Sequence, residues 1–174
     1  MTDLANVVVT YLELRAPARG AGETSRLTPA PFVVHRERSP MAARVALALY
    51  RRVGGPWHWT DRLGWTEAQW QTAIDRDDVE LHVARIGEEI IGYYELCAGA
   101  EAVELSYFGL LPEYTGRGLG PRLLLAAVDR AWALGRDRMT VNTCTLDHPA
   151  ALATYLGCGF AVVRTEARPP VASS

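Results

Sequence analysis

The chain has no long apolar run: none approaches the roughly 20 residues that a bilayer span requires. Its opening, MTDLANVVVTYLEL, places no basic region ahead of an apolar one, so no signal peptide is expected. Cysteine is scarce. Cys97, Cys144 and Cys158 are odd in number and widely spaced, which argues against a zinc knuckle and for a reducing, cytoplasmic setting. Neither charge dominates: 18 basic against 20 acidic residues leave a formal net charge of -2. That removes any global pull toward nucleic acid or an anionic membrane. Internal repeats and low-complexity blocks are also missing. What is present is ordinary for a soluble globular protein, 49% hydrophobic and 22% charged. A length of 174 residues predicts one domain, 1–174, with a full core.

Val7 to Leu14 is β-branched and aromatic and reads as a strand. Residues 16–31 are rich in glycine and proline and read as a loop. FVVHR is a short extended piece. Ser39 and Pro40 suit the N-cap and first position of a helix, MAARVALALYRR, ended by Gly54-Gly55-Pro56. Thr66 with Gln69 forms a capping box for a second helix, EAQWQTAIDR. Val79–Arg85, Ile90–Cys97 and Ala102–Leu111 are three strands joined by tight turns, the pattern of an antiparallel meander. A long helix then ends at Gly135. A strand over Arg138–Thr145, a short helix over Pro149–Leu156, a strand over Phe160–Thr165 and a loose tail over 166–174 complete the chain. The order βααβββαβαβ predicts an α/β or α+β sandwich around a mixed sheet.

The stretch YTGRGLGPRLLLAAV sets three glycines at the junction between the meander's last strand and the long helix. Glycine tolerates positive φ and lets a ligand approach the backbone. A helix start offers unpaired N–H groups and a partial positive charge. Gly116, Gly118 and Gly120, with Arg117 to add charge, therefore suit a cradle for an anion such as a phosphate. Familiar nucleotide sites fit poorly. The dinucleotide fingerprint needs G-x-G-x-x-G in a parallel βαβ unit, whereas this spacing is G-x-G-x-G after a meander. The Gly-Lys-Ser/Thr of an ATP-binding P-loop is absent.

LLPEYTGRGLGPRLL resembles the acetyl-CoA-binding signature of the GNAT superfamily of N-acetyltransferases. Arg117-Gly118-Leu119-Gly120 match its second half, and Thr115 stands where Gln or Arg is usual. Downstream, AALATYLGCGF matches the family's Ala-x-x-x-Tyr-x-x-x-Gly-Phe element at Ala151, Tyr155, Gly159 and Phe160. His148 occupies a position where many members carry Asn. The order of elements also agrees, from about Val7 to Thr165. The resemblance implies a GNAT-like fold, a mixed and mostly antiparallel central sheet with helices on both faces. It implies acetyl-CoA as co-substrate, no metal, and a small-molecule or peptide amine as acceptor.

It also implies roles. The pyrophosphate of CoA would sit on Thr115, Gly116, Arg117, Gly118, Leu119 and Gly120, with His148 nearby as a further contact or as a helix cap. The pantetheine would pair with the strand end at Leu110 and Leu111, and the N–H of Leu110 would face the thioester carbonyl. Gly109 would either ease a bulge there or fill a packing gap. An alkyl ammonium has a pKa near 10 and must lose a proton before attack. Glu104 matches the position of the catalytic glutamate in some members; Glu95 and His58 are further candidates. Strand alternation puts Glu104, Ser106 and Phe108 on one face and Leu105, Tyr107 and Gly109 on the other. Tyr155 matches the family tyrosine that gives a proton to the departing thiolate.

Trp57, Trp59, Trp65 and Trp70 crowd the segment between the first two helices, where the family forms its acceptor site. A tryptophan face holds a cation at about 1–2 kcal/mol, and Asp61 adds charge. Trp57, His58 and Trp59 are the candidate substrate wall; Trp65 and Trp70 are expected to pack the second helix. Cys144 and Cys158 have no activating histidine in view and read as packing residues. Two other functions stay open on the residues alone: a non-catalytic acyl-CoA sensor on the same fold, and a dinucleotide-dependent oxidoreductase. Dimers are common in families like this, but the sequence displays no dimer interface.

Overall fold

The computed structural model describes residues 6–17, 30–38 and 40–169. Seven strands form one sheet: β1 (Val7–Arg15), β2 (Val33–Glu37), β3 (Val79–Ile86), β4 (Glu89–Ala98), β5 (Val103–Leu110), β6 (Arg138–Cys144) and β7 (Ala161–Arg168). Four helices cover it: α1 (Ala42–Gly54), α2 (Glu67–Ile74), α3 (Leu119–Ala133) and α4 (Ala151–Gly157). The strand order is β2-β3-β4-β5-β6-β1-β7. All neighbours run antiparallel except β5 and β6.

Two apolar layers hold the sheet between the helices. On one face Ala46, Leu49 and Tyr50 of α1 and Trp70 and Ile74 of α2 pack on Leu81, Val83 and Tyr93. On the other, Leu123, Leu124, Ala127 and Ala131 recur at helical spacing along α3 and meet Leu12, Leu96, Leu105 and Met139. Tyr155 of α4 joins this second layer. Covered on both sides, β3 and β4 are buried almost throughout.

Several element ends differ from the sequence reading. Ser39 lies outside the described residues. Pro40 sits in the turn before α1, which starts at Ala42 with Met41 at its N-cap. The helix runs through Gly54, and a single 3-10 turn, Gly55–Trp57, follows. The FVVHR piece is a real edge strand, β2, held by pairing to β3. Of the glycine- and proline-rich loop, residues 18–29 lie outside the described residues. Strand β7 extends to Arg168, so 166–168 are paired with β1 rather than loose, and 170–174 lie outside the described residues. Helix α4 begins at Ala151, two residues past Pro149. The capping box is present as expected: the Thr66 hydroxyl accepts the Gln69 N–H, and the Gln69 amide oxygen accepts the Thr66 N–H at 2.8 Å. Among the described residues no helix is long and apolar enough to cross a membrane.

Candidate active site

Strands β5 and β6 stay paired only at Val103–Met139 and Glu104–Thr140. Beyond Glu104 they separate, and the gap opens into a cavity of about 930 Å³. Glu104 stands at the closed end and the glycine turn at the open end, and both line the cavity.

At the open end Gly116 and Gly118 take φ of +72° and +70°, a left-handed backbone that glycine adopts without steric cost. Gly118 caps α3 with no side-chain hydrogen bond. The first-turn N–H groups therefore keep their donor capacity, in the field of a fifteen-residue helix. Arg117 lies over the Tyr114 ring, 5.2 Å from its centre. The Thr115 hydroxyl donates to the Pro112 carbonyl at 2.8 Å and so closes the turn on itself. Leu119 begins α3 and is buried. Leu111 donates its N–H to Ile91 O at 2.8 Å. Successive N–H groups of an extended strand point to opposite edges, so that of Leu110 points away from β4 and into the opening.

Alternation along β5 is broken. Tyr107 pairs with Glu95 and Leu105 with Leu96, leaving Ser106 as the extra residue of a bulge. Side chains change face across it. Leu105 and Phe108 pack in the α3 layer, whereas Tyr107 packs in the α1–α2 layer. The expected grouping of Glu104 with Ser106 and Phe108 is thus overturned: Glu104 shares its face with Tyr107 and Gly109. The bulge is at Ser106 and not at Gly109. Gly109 answers a packing need, since a Cβ there would lie 2.4 Å from Val53 Cγ1.

Glu104 is exposed to the cavity, and no hydrogen bond or ion pair to its side chain is made among the described residues. Glu95 is different. Only 2% exposed, it receives both Arg62 guanidinium donors, at 2.8 and 2.9 Å. Arg62 is in turn held over the rings of Trp65 and Tyr107, at 4.8 and 4.4 Å. Tyr155 is buried between Phe108 and Phe160, with ring centres at 6.0 and 5.8 Å. Burial pushes its phenol well above the ordinary tyrosine range, and the negative charge of Asp147 adds to the shift.

The other side of the cavity is aromatic. Trp57, His58 and Trp59 all line it. His58 is exposed and is the single described non-glycine residue at positive φ, 58°. Trp59 packs against Tyr50 and Tyr107 and donates its indole N–H to Asp147 Oδ1 at 3.2 Å. His148 meets Trp57 edge-on, ring centres 4.9 Å apart, and its Nδ1 accepts the Ala150 N–H at 3.1 Å ahead of α4. The N-cap of α4 is Ala150, with no side-chain cap bond, so His148 holds the turn ahead of the helix rather than capping it. Trp70 is buried under α2, while Trp65 is half-buried and also lines the cavity. The thiols of Cys144 and Cys158 are half-buried and pushed up by burial.

Residues 44–160 match the profile of the acetyltransferase (GNAT) family. The chain belongs to the GNAT family. Its sheet, opening at β5 and β6, is the fold of solved GNAT structures. A GCN5-related N-acetyltransferase from Sphaerobacter thermophilus superposes with a TM-score of 0.71 at 13% identity, over 97% of this chain and 54% of that one. The chain thus spans little more than half the length of that relative. The ribosomal-protein-S18-alanine N-acetyltransferase of Escherichia coli superposes at 0.59 with 14% identity, over 82% and 96% of the two chains. A Bacillus subtilis acetyltransferase in complex with CoA superposes at 0.58 with 20% identity, over 75% and 76%. No curated protein matches this GNAT chain.

Three residues of the site escaped the sequence reading. Arg62 was visible only as a charge among tryptophans, and its pairing to Glu95 crosses 33 residues. Tyr107 shares the face of Glu104, against simple strand alternation, and nothing local announces the bulge that puts it there. Asp147 binds the Thr143 hydroxyl at 2.6 Å and the Cys144 N–H at 2.9 Å as well as Trp59. Its position at the end of a strand, before His-Pro, was the one available sign.

Proposed function

We propose that the protein is an N-acetyltransferase that moves an acetyl group from acetyl-CoA to a primary amine of a small molecule or peptide, by direct attack of the amine. One observation carries this reading. Glu104, Tyr155, Leu110 and the glycine turn line one cavity where β5 separates from β6, which supports it.

Acetyl-CoA supplies an activated carbonyl and a thiolate leaving group. The chain's residues do the rest. Thr115 to Gly120 hold the pyrophosphate through backbone N–H groups. Glu104 takes the proton from the incoming ammonium, directly or through water. The Leu110 N–H faces the oxygen that gains charge, an interaction worth about 3 kcal/mol where it is preorganised. Tyr155, kept protonated by its burial, gives its proton to the sulfur. Trp57, His58 and Trp59 form the acceptor wall. The three free cysteines suit the reducing conditions of a cytoplasm.

The test is a thermal-shift titration with acetyl-CoA, CoA and NADH, followed by thiol release with a panel of amines. A native-state ligand raises the midpoint by mass action. The expected result is a shift with both CoA species, none with NADH, and thiol release dependent on an amine. A shift without release from any amine would leave a non-catalytic acyl-CoA sensor instead. A shift with NADH alone would remove the reading.

A further inference from the structure

The charges that line the cavity do not balance. Its arginines are all paired. Arg62 is held by Glu95, Arg76 by Asp78, and Arg168 by Glu166 at 3.2 Å. Its carboxylates are not. Asp61 and Glu104 face the cavity with no cationic partner among the described residues. Asp147, the remaining one, is taken up by three neutral donors. The α1–α2 side of the cavity therefore carries uncompensated negative charge beside the faces of Trp59, Trp65 and Tyr107.

Asp61 is held in place there. Its Oδ2 accepts the Tyr107 hydroxyl at 2.9 Å, which leaves Oδ1 for another donor. Tyr107 lies three residues along β5 from Glu104 and, because of the Ser106 bulge, on the same face. An extended strand rises about 3.3 Å per residue, so the two Cα atoms are at most about 10 Å apart. The Tyr107 ring spans the distance from the strand to Asp61. A short flexible molecule laid along that ring would have one carboxylate near each end.

Glu104 is committed to the reacting nitrogen if the proposed function holds, and the following step rests on that reading. We infer that the acceptor is a dication: one amine reacts at Glu104 while a second ammonium or guanidinium group is held by Asp61 against the Tyr107 and Trp59 faces. The chemical class is an alkyl diamine or a guanidino-alkyl amine. A carboxylate at the far end of the acceptor would meet Asp61 and be repelled.

The test uses the full chain and three four-carbon probes: the terminal diamine, butylamine, and the ω-amino acid. Each is titrated calorimetrically into protein saturated with CoA and assayed for thiol release with acetyl-CoA. The diamine is expected to bind and react about tenfold better than butylamine, the order of one partly desolvated charge contact. The ω-amino acid should be weakest, and added salt should shrink the diamine's lead. Asp61→Asn keeps an oxygen for the Tyr107 hydroxyl and should remove the diamine's lead over butylamine. Equal binding of diamine and butylamine, or a lead that survives Asp61→Asn, overturns the inference. If the lead appears in binding and vanishes in Asp61→Asn, yet no probe releases thiol, the dication site stands and acetyl transfer falls. If thiol is released from all three probes alike, acetyl transfer stands and the dication site falls.

Discussion

Trp59 and Asp147 are joined side chain to side chain, indole N–H to Oδ1, across 88 residues of sequence. One belongs to the α1–α2 loop and the other to the β6–α4 loop, and both line the cavity. Asp147 is also the acceptor for the Thr143 hydroxyl and the Cys144 N–H. A single carboxylate therefore finishes strand β6 and fixes the indole of the proposed acceptor wall.

Asp147→Ala should for that reason act on both. It leaves an N–H, a hydroxyl and an indole without their acceptor, at about 1–3 kcal/mol. For a chain of this size that lowers the melting midpoint by roughly 2–12 °C. Trp59→Phe keeps the ring stacking and loses only one of the three bonds, so it should lower the midpoint less. Calorimetry on the two variants gives the ranking, and an unchanged midpoint in Asp147→Ala would show the bonds to be dispensable.

Gly54 makes the same indole sensitive to a smaller change. A Cβ at Gly54 would lie 2.2 Å from Trp59 Cδ2 and Cε3. Gly54 is helical, at φ -87°, so alanine is otherwise welcome there and favoured by propensity. Gly54→Ala must displace Trp59, with an overpacking cost of about 1–3 kcal/mol. The expected outcome is a raised KM for the amine with the CoA-induced midpoint shift intact. Steady-state kinetics checks it, and an unaltered KM would show that Trp59 does not wall the acceptor.

Most of the element order was readable because each signal was local: β-branched runs, the Thr66–Gln69 box, glycine after the helices. The glycine turn and the Tyr155 segment were readable for the same reason, being short and contiguous. What escaped was non-local. The bulge at Ser106 exists because Tyr107 must meet Glu95 while Leu105 meets Leu96. That is a constraint from β4, invisible in β5 itself. The Arg62–Glu95 pair and the Trp59–Asp147 bond likewise form only after the sheet has assembled. The edge strand β2 has no buried residue, and pairing to β3 rather than its own pattern sustains it.

Glu104 and Tyr155 should separate binding from chemistry. Glu104→Gln keeps the size of the side chain and removes its ability to take a proton. Tyr155→Phe keeps the ring between Phe108 and Phe160 and removes the hydroxyl. Proton-transfer groups typically contribute about 10²–10⁴ in rate. Each variant should lose at least about a hundredfold in kcat while keeping the midpoint shift with CoA. Normal turnover in Glu104→Gln, or in Tyr155→Phe, would take that residue out of the mechanism.

The last prediction concerns stability and a different part of the molecule. Glu80, 4% exposed, binds Arg130 through both oxygens at 2.7 Å, Arg36 at 2.7 Å and His82 Nε2 at 2.8 Å. Burial alone would raise its pKa, but the bonds from Arg130 and His82 and the charge of Arg36 outweigh it and hold it down to about 2, from 4.5. His82, stacked on Tyr94, is lowered from 6.5 by burial, with Glu80 opposing. Both shifts have the same sign for stability. A depressed histidine leaves the unfolded chain binding more protons as pH falls below 6.5. The depressed glutamate does so from 4.5 down to about 2. The melting midpoint should therefore be highest near neutral pH and fall in two stages on acidification. His82→Gln retains a donor for Glu80 and cannot titrate, so it should erase the upper stage and keep the lower. Calorimetry across this range decides the matter: a wild-type midpoint that holds steady down to about pH 4.5 would mean that His82 takes up its proton in the folded protein as readily as in the unfolded chain.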